Sequence, residues 1–330
     1  MTDSLLLPAA AVIGGFALLV WGADRFVFGA AATARNLGVS PLIIGLTIVG
    51  IGTSAPEILV SVMAAWQGNP ALGVGNAVGS NITNIGLVLG TTALIKPLAV
   101  RSETLRREYP LMFAIMLFSL VLLLDGEMSR LDGLLLLAGL VLMVNWMVRL
   151  GLRRDHDPME DEYAQEIPPL STGRALLWLL LGLVLLLGSS RLLVWGAVDI
   201  AQAFGISDLV IGLTIVAVGT SLPELAASVM SALRGEPDIA IGNVIGSNMF
   251  NLLAVLGLPG LIHPTALAPE VLSRDYVFMI GLSIALFAMA YGFRGDGRIN
   301  RLEGALLLGG YTAWLFLLYP DVAATHGNGI

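Results

Sequence analysis

Two copies of one motif, separated by about half the chain, constrain the fold of this sequence more than any other feature. Residues 45–57 read GLTIVGIGTSAPE and residues 212–224 read GLTIVAVGTSLPE, identical at ten of thirteen positions at an offset of 167. At the same offset, GNAVGSN at 75–81 matches GNVIGSN at 242–248. A later pair, DGEMSRLDG at 125–133 and DGRINRLEG at 296–304, matches at an offset of 171. The chain is therefore predicted to contain two repeats, each about half its length.

The residues around these motifs are too apolar for a water-soluble domain. The 330 residues are 56% hydrophobic and 12% charged, with a mean hydropathy of +0.86, more apolar surface than one soluble core can enclose. A spanning helix needs ~20 mostly apolar residues, and ten such runs are found. The predicted spans are 5–28, 41–66, 71–94, 109–124, 131–150, 174–200, 208–233, 237–258, 276–293 and 302–320. We therefore predict an all-α polytopic membrane protein.

The ten transmembrane helices are predicted to form two inverted five-helix repeats, because an odd number of spans reverses the direction in which the second repeat enters the membrane. Residues 1–150 form the first repeat, with its motif region at 45–90. Residues 151–173 form an acidic cytoplasmic linker, and residues 174–330 form the second, inverted repeat, with its motif region at 212–257. Inverted repeats are typical of secondary transporters, in which ions bind near the bilayer midplane between the repeats.

The basic residues predict the orientation. With the N-terminus outside, cytoplasmic loops hold 13 of the 17 Lys and Arg residues, and the opposite loops hold only Arg130 and Arg274. Cytoplasmic loops are enriched in Lys and Arg, so both termini are predicted to lie outside a plasma (inner) membrane crossed ten times. Asp24 and Arg25 lie inside the first predicted span, where Asp24 is expected either to pair with Arg25 or to line an access path.

Oxygen-bearing residues recur at helical spacing in both motif regions. The first motif has Gly50, Thr53, Ser54 and Glu57 at i, i+3, i+4 and i+7, which is one face of a helix. The second motif repeats the pattern, and Ser–Asn pairs four residues apart follow both. The candidate metal-binding residues are Glu57, Glu224, Thr53, Thr220, Ser54, Ser221, Ser80, Ser247, Asn84, Asn251, Gly50 and Ala217. Such oxygen ligands suit hard cations such as Na+ and Ca2+.

A proline inside each of these spans predicts that backbone oxygens are also available. Pro56 and Pro223 donate no backbone hydrogen bond and clash with the carbonyl four residues earlier, that of Gly52 or Gly219. Kinks are therefore expected at both motifs. Non-helical backbone at this depth is tolerated where it lines a polar cavity or is buried in protein.

The two glutamates are predicted to meet at the midplane. Each lies about four residues past the centre of its span, ~5 Å at the helical rise, and the two spans run in opposite directions. Helical side chains lean toward their own N-terminus, so both carboxylates lean back toward the centre. A charge there costs about 2.5–3.5 kcal/mol, which favours a shared cation over a purely structural hydrogen-bonded pair.

These motifs resemble the two alpha repeats of the sodium/calcium exchangers, within the cation/calcium antiporter superfamily. The similarity rests on GTSAPE and GTSLPE, each followed by GNxxGSN and a further Asn, and extends over essentially the whole chain. It implies that Glu57 and Glu224 bind Ca2+ and, alternately, Na+, with the other candidate residues as further ligands. In some members the position of Asn251 is an aspartate. The resemblance also implies that the first and sixth spans slide against the core helices.

The predicted function is antiport of Ca2+ against Na+ by alternating access, with no enzymatic activity. Partners are the two transported ions and the lipid bilayer, and no cofactor, nucleic acid or obligatory protein partner is expected. Proton/calcium exchange and K+-dependent exchange remain alternatives, since buried glutamates accept protons readily. A cation channel is disfavoured because no filter sequence is present. An intramembrane protease is disfavoured because the chain has neither paired aspartates nor an HExxH motif.

Overall fold

The protein is described here by a computed structural model covering residues 2–100, 106–151, 170–204, 217–291 and 297–327. The predicted linker lies mostly outside these ranges, as do the first residues of the second motif. In the first repeat the helices are α1 Thr2–Leu37, α2 Pro41–Thr53, α3 Ala55–Trp66, α4 Pro70–Ile95, α5 Glu108–Leu123 and α6 Arg130–Gly151. In the second they are α7 Thr172–Ala203, α8 Ala217–Thr220, α9 Leu222–Leu233, α10 Pro237–Ile262, α11 Val271–Ala290 and α12 Arg301–Gly327.

The predicted ten-helix fold is confirmed for the described ranges. Helices α2 and α3 form one broken span, and α8 and α9 correspond at the offset of 167 to the end of α2 and to α3. With each broken pair counted once, the described residues contain five helical segments per repeat. Six helices are individually long and apolar enough to cross a membrane, the α2–α3 pair makes a seventh, and α5 and α9 are shorter apolar helices.

Helices α1 and α7 are longer than predicted, and they pack against each other as an antiparallel pair. Their closest approach occurs at small residues: Gly29 faces the backbone of Leu179, and Gly182 faces that of Phe26. A Cβ atom at either glycine would overlap the facing backbone. Such close packing is the usual role of glycine at helix interfaces in membranes. The two helices therefore form one tightly packed unit.

Helices α4 and α10 form the centre of the molecule. The most apolar stretch of α10 is completely buried, and that of α4 is 72% buried. The corresponding stretches of α1, α6, α7 and α11 are only 28% buried. Helix α2 crosses α10 with Gly246 against the backbone of Leu46, where a Cβ atom would not fit. The candidate residues Ser80, Asn84, Ser247 and Asn251 lie on the polar faces of α4 and α10. These faces are therefore enclosed by protein.

Two short antiparallel strand pairs connect the repeats. Strand β1 (Leu98–Ala99) pairs with β4 (Arg298–Ile299), and β2 (Glu127–Met128) pairs with β3 (Thr265–Ala266). Each pair joins a segment of one repeat to a segment of the other, so the same strand contact between the repeats occurs twice.

Candidate functional site

Both motif spans break immediately before their proline. The axes of α2 and α3 differ by 42°, and the break lies at Ser54, whose φ of −81° and ψ of 3° leave the helical range. Ser221 has φ −91° and ψ 4° at the equivalent break. Pro56 and Pro223 then stand in the first turn of α3 and α9, where a missing N–H is tolerated. The predicted kinks are thus helix ends, and each glutamate lies in the first turn of a new helix.

The carbonyl that Pro223 displaces accepts a hydrogen bond from another helix. Ser190 of α7 donates a hydrogen bond to Gly219 O at 2.9 Å. Gly219 is the residue four before Pro223, one of the two predicted to lose its helical partner. Helix α7 therefore contacts the break of the second motif directly.

Glu57 and Glu224 are each 1% exposed. Ser54, at the first break, donates a hydrogen bond to Glu224 Oε1 at 3.3 Å, so the second glutamate reaches the first motif. The two carboxylates are close enough to interact electrostatically. Their Oε2 atoms are buried without a hydrogen-bond partner, and neither forms an ion pair within the described residues. Two buried carboxylates without an ion-pair partner require a bound cation, which is either a metal ion or protons.

A group of neutral oxygens surrounds Thr53, which is fully buried. Its Oγ1 atom lies 3.0 Å from Val49 O and from Asn243 Oδ1, and 3.4 Å from Ser247 Oγ. Ser247 Oγ in turn lies 3.4 Å from Gly50 O, which also accepts the helical bond from Ser54 N at 3.1 Å. The predicted residues Gly50, Thr53 and Ser247 are therefore brought together.

The candidate asparagines form two amide pairs across the repeats. Asn84 Nδ2 donates to Asn248 Oδ1 at 3.1 Å, and Asn251 Nδ2 donates to Asn81 Oδ1 at 3.4 Å. Asn84 Oδ1 and Asn251 Oδ1 are buried and have no hydrogen-bond partner in the described part of the chain. Each of these amides thus keeps one carbonyl oxygen for a ligand. Among the described hydrogen bonds, none runs directly from Asn84 or Asn251 to a glutamate.

The remaining candidates lie around the two breaks. Ser221 is buried and Thr220 is partly exposed; Ser80 Oγ donates to Asn76 Oδ1 at 3.5 Å. Ala217 is the first residue of α8, and its side chain is outside the described set. No cluster of three acidic, histidine or cysteine residues suited to a metal is found among the described residues. The arrangement is therefore two carboxylates among neutral oxygens.

Two asparagines that were not among the predicted site residues hold the breaks in place. Asn76 Nδ2 donates to Glu57 O at 3.1 Å and to Ser61 Oγ at 2.9 Å. Asn243 Nδ2 makes the equivalent bonds to Glu224 O at 3.2 Å and Ser228 Oγ at 2.9 Å. Asn76 and Asn243 precede Ser80 and Ser247 by four residues, so they continue the same helical face and were detectable from spacing.

Replacing Asn243 with alanine is expected to lower stability and Ca2+ affinity together. The change leaves Glu224 O and Ser228 Oγ without this donor, which costs ~2–6 kcal/mol at about 1–3 kcal/mol for each of the two groups. It also removes one acceptor of Thr53, which keeps its bond to Val49 O. Thermal unfolding in detergent, with and without Ca2+, measures both effects. Asn145→Ala, on the exposed face of α6, is the matched control. A melting temperature equal to that of the control would contradict the bracing role of Asn243.

A cavity of about 280 Å³ lies beside the two breaks. It lies between α3, α7 and α8, and its lining includes Pro56, Val60, Ser190, Arg191, Val194 and Thr220. At the offset of 167, Val60, Ser190 and Val194 correspond to Ala227, Ala23 and Val27, which are all fully buried. Ala23 and Ala227 belong to one hydrophobic cluster of α1, α7 and α9. Among the described residues, the cavity gives one route to the site, and these three positions of the equivalent route are closed by packing.

An inverted repeat of five spans, with buried carboxylates at two equivalent helix breaks, defines an integral-membrane secondary transporter of the antiporter class. The family model for sodium/calcium exchanger protein matches residues 7–149 and 174–319. The chain belongs to the sodium/calcium exchanger family.

Individual relatives agree over almost their full length. CaxA from Alkalimonas amylolytica is 51% identical over 319 residues, covering 96% of this chain and 100% of CaxA. The inner membrane protein YrbG of Escherichia coli is 44% identical over 323 residues, covering 96% of this chain and 98% of YrbG. The structure of the sodium-calcium exchanger NCX_Mj soaked with 10 mM Na+ and 10 mM Sr2+ matches with a TM-score of 0.81 and 34% identity, covering 94% of this chain and 97% of NCX_Mj.

Proposed function

We propose that this protein exchanges Ca2+ for Na+ at one site formed by Glu57, Glu224 and the neutral oxygens around them. The observation that carries the proposal is the pair of buried carboxylates, with both Oε2 atoms unpartnered among the described residues. Two negative charges neutralise one Ca2+, and the donors are oxygens, the ligands that Ca2+ and Na+ prefer. Na+ ions distributed over the same oxygens compete for the glutamates, so occupation by Na+ and by Ca2+ excludes each other.

Alternating access follows from the duplicated structure. The α1–α7 pair packs against the breaks of both motifs and leaves a cavity on one side. Because the repeats are inverted, a shift of this pair along the core helices opens the equivalent route and closes the first. Each half-cycle then exposes the same carboxylates to one side of the membrane.

The proposed orientation places both termini outside. With this orientation, α3 runs from the break toward the outer face, and the cavity beside Pro56 and Val60 opens outward. The distribution of Lys and Arg supports the assignment. The inner-membrane name of the relative YrbG supports placing the protein in the plasma membrane.

The coupling ion is tested by Ca2+ uptake into proteoliposomes under an imposed Na+, H+ or K+ gradient. We expect uptake to require an outward Na+ gradient and to be unaffected by K+, because the site holds two carboxylates and no further charged ligand among the described residues. Protein-free liposomes and the Glu57→Gln variant are the controls. Uptake driven by protons and indifferent to Na+ would overturn Na+ coupling in favour of proton/calcium exchange; uptake that needs no opposing gradient would indicate a channel.

A further inference from the structure

An ion pair joins α1 to the end of α9 on the closed side of the molecule. Arg234, the residue that follows α9, donates from Nε and Nη2 to Asp24 Oδ1 at 2.8 and 2.5 Å. The Arg234 guanidinium also lies 5.3 Å from the ring of Phe28, one turn further along α1. The neighbouring Arg25 is more distant, with Nε 3.8 Å from Asp24 Oδ2. Pairing with Arg25 was one of the two roles expected for Asp24, and it is the weaker contact. The main partner of Asp24 is Arg234.

The ion pair connects two bodies that alternating access must separate. Asp24 belongs to α1, which is held against α7 by backbone contact at Gly29 and Gly182. Arg234 belongs to the second body, the helices packed around α4 and α10. Lys96, which follows α4, donates from Nζ to Leu233 O, the last carbonyl of α9, at 3.5 Å. Asp24 directly follows Ala23, one of the fully buried residues that close this route. Movement of α1 away from α9 therefore breaks the ion pair and the hydrophobic closure together.

The equivalent positions on the open side cannot form such a pair. At the offset of 167, Asp24 corresponds to Arg191, and Arg234 corresponds to Gln67. Arg191 lines the cavity and forms no ion pair within the described residues. The other equivalent positions along the cavity, such as Val60 and Ala227 or Ser190 and Ala23, are uncharged, so the charged pair makes the two closed states chemically different. One closure is held by apolar packing and an ion pair, whereas the equivalent positions of the other, Arg191 and Gln67, offer no ion pair.

We propose that Asp24 and Arg234 form a one-sided latch, which holds the route beside α9 closed and makes the conformation with the cavity beside α3 open the favoured resting state. This rests on the alternating access proposed above. Breaking the latch leaves a carboxylate and a guanidinium partly enclosed and without each other, a cost that has no counterpart when the opposite route opens. A single exposed ion pair contributes little, but this one has two hydrogen bonds to one carboxylate oxygen and an aromatic neighbour.

The test uses cysteine reporters at two equivalent positions, which is direct because the chain contains no cysteine. Leu59 lines the open cavity, and Ala226, its equivalent at the offset of 167, packs against the cluster that closes the other route. Leu59→Cys and Ala226→Cys are each labelled with a membrane-impermeant maleimide in vesicles of known orientation, applied to either side. Without further changes we expect rapid labelling of the cysteine at 59 and slow labelling of the cysteine at 226.

Adding Asp24→Asn or Arg234→Gln is expected to increase the labelling rate at 226 about tenfold and to decrease that at 59. The exchanged pair, Asp24→Arg with Arg234→Asp, is expected to return both rates toward the original values. Asp125→Asn, in an exposed turn, controls for loss of one carboxylate. Unchanged labelling at 226, faster labelling at both positions, or no restoration by the exchanged pair would each overturn the latch. Thermal unfolding of each variant identifies any that is misfolded, in which case the other single variant and the exchanged pair decide.

The latch and the exchange function fail differently in these experiments. Labelling of the two reporters needs no ion gradient and reports only which route is open. If Na+ gradients drive Ca2+ uptake while labelling at 226 is unaffected by Asp24→Asn, the latch is wrong and the exchange proposal stands. If labelling shifts as expected but no gradient drives Ca2+ uptake, the latch stands and the exchange proposal fails.

Discussion

Replacing either Glu57 or Glu224 with glutamine is expected to abolish Na+-dependent Ca2+ flux and to reduce Ca2+ affinity by at least a hundredfold. Glutamine keeps the size of the side chain and removes one negative charge, so a bound Ca2+ retains an uncompensated positive charge in a buried site. Removing one partner of a buried ionic contact costs about 3–5 kcal/mol, which corresponds to a factor of roughly 10² to 4 × 10³. Isothermal titration with Ca2+ and uptake into proteoliposomes measure the two effects.

The same variants separate a cation site from a structural carboxylate pair. Without Ca2+, both glutamates are buried at 1% exposure and interact electrostatically with each other. Glutamine relieves that repulsion, so we expect the Ca2+-free variants to melt at or above the temperature of the unsubstituted protein and to gain no stability from Ca2+. If the pair were purely structural, each substitution would lower the melting temperature and Ca2+ would have no effect on either form.

Glu127→Gln is the matched control for this experiment. Glu127 lies in β2 and is exposed, so the same chemical change there leaves the charge of the buried site unaltered. We expect its Ca2+ affinity and flux to equal those of the unsubstituted protein. Normal flux in Glu57→Gln or Glu224→Gln would show that the transported cation binds elsewhere.

The duplicated motifs allowed most of the fold to be predicted. The apolar run lengths identified ten spans, the offset of 167 identified the repeat, and the odd number of spans in each repeat implied inversion. Pro56 and Pro223 predicted two disrupted spans, although as kinks and not as the helix ends found at Ser54 and Ser221. The bounds of α1 and α7 were underestimated: the predicted spans end at 28 and 200, whereas the helices continue to Leu37 and Ala203. Their packing at Gly29 and Gly182 is a tertiary fact that local pattern does not report.

Local spacing predicted the residues that share a helix face but not the contacts between faces. It grouped Thr53 with Glu57 and Ser247 with Asn251. Asn243 was omitted although it extends the Ser247 face by one turn, because only the Ser–Asn pairs of that face were counted. The Asp24–Arg234 contact spans 210 positions, and no periodicity connects residues that distant. Which route is open was also beyond prediction, since it depends on how α1 and α7 pack against the motif spans, which local sequence does not specify.

Replacing Asn251 with aspartate is expected to increase Ca2+ affinity at least tenfold, about 1.4 kcal/mol, and to slow exchange. The amide is 1% exposed and its Oδ1 atom has no partner among the described residues, so an added carboxylate enters the site without an opposing charge. Three negative charges leave a net charge of −1 after Ca2+ binds. An additional Na+ or proton must then accompany the ion. Titration calorimetry measures the affinity, and the Na+ and H+ dependence of uptake identifies the accompanying ion.

The local structure can accommodate this carboxylate. Asn251 Nδ2 donates to Asn81 Oδ1, a bond that aspartate would convert into a contact of two acceptors. Asn81 Nδ2 has no hydrogen-bond partner in the described ranges, so rotation of the Asn81 amide by 180° supplies a donor at no loss. Asn69→Asp, in the exposed turn before α4, is the control, because asparagine and aspartate are equivalent there as helix caps. Equal Ca2+ affinity in the two variants would exclude Asn251 from the site.

The equivalent substitution, Asn84→Asp, adds the same charge but is expected to be less well tolerated. Its neighbour Asn248 has an existing contact from Nδ2 to Met112 Sδ at 3.9 Å, which amide rotation would remove. Both variants should therefore bind Ca2+ more tightly, while only Asn84→Asp should show a lower melting temperature without Ca2+. Thermal unfolding of the two variants side by side measures this difference. A matched loss of stability in both would show that the amide of Asn81 is not free to rotate, and that the two amide pairs are equally constrained.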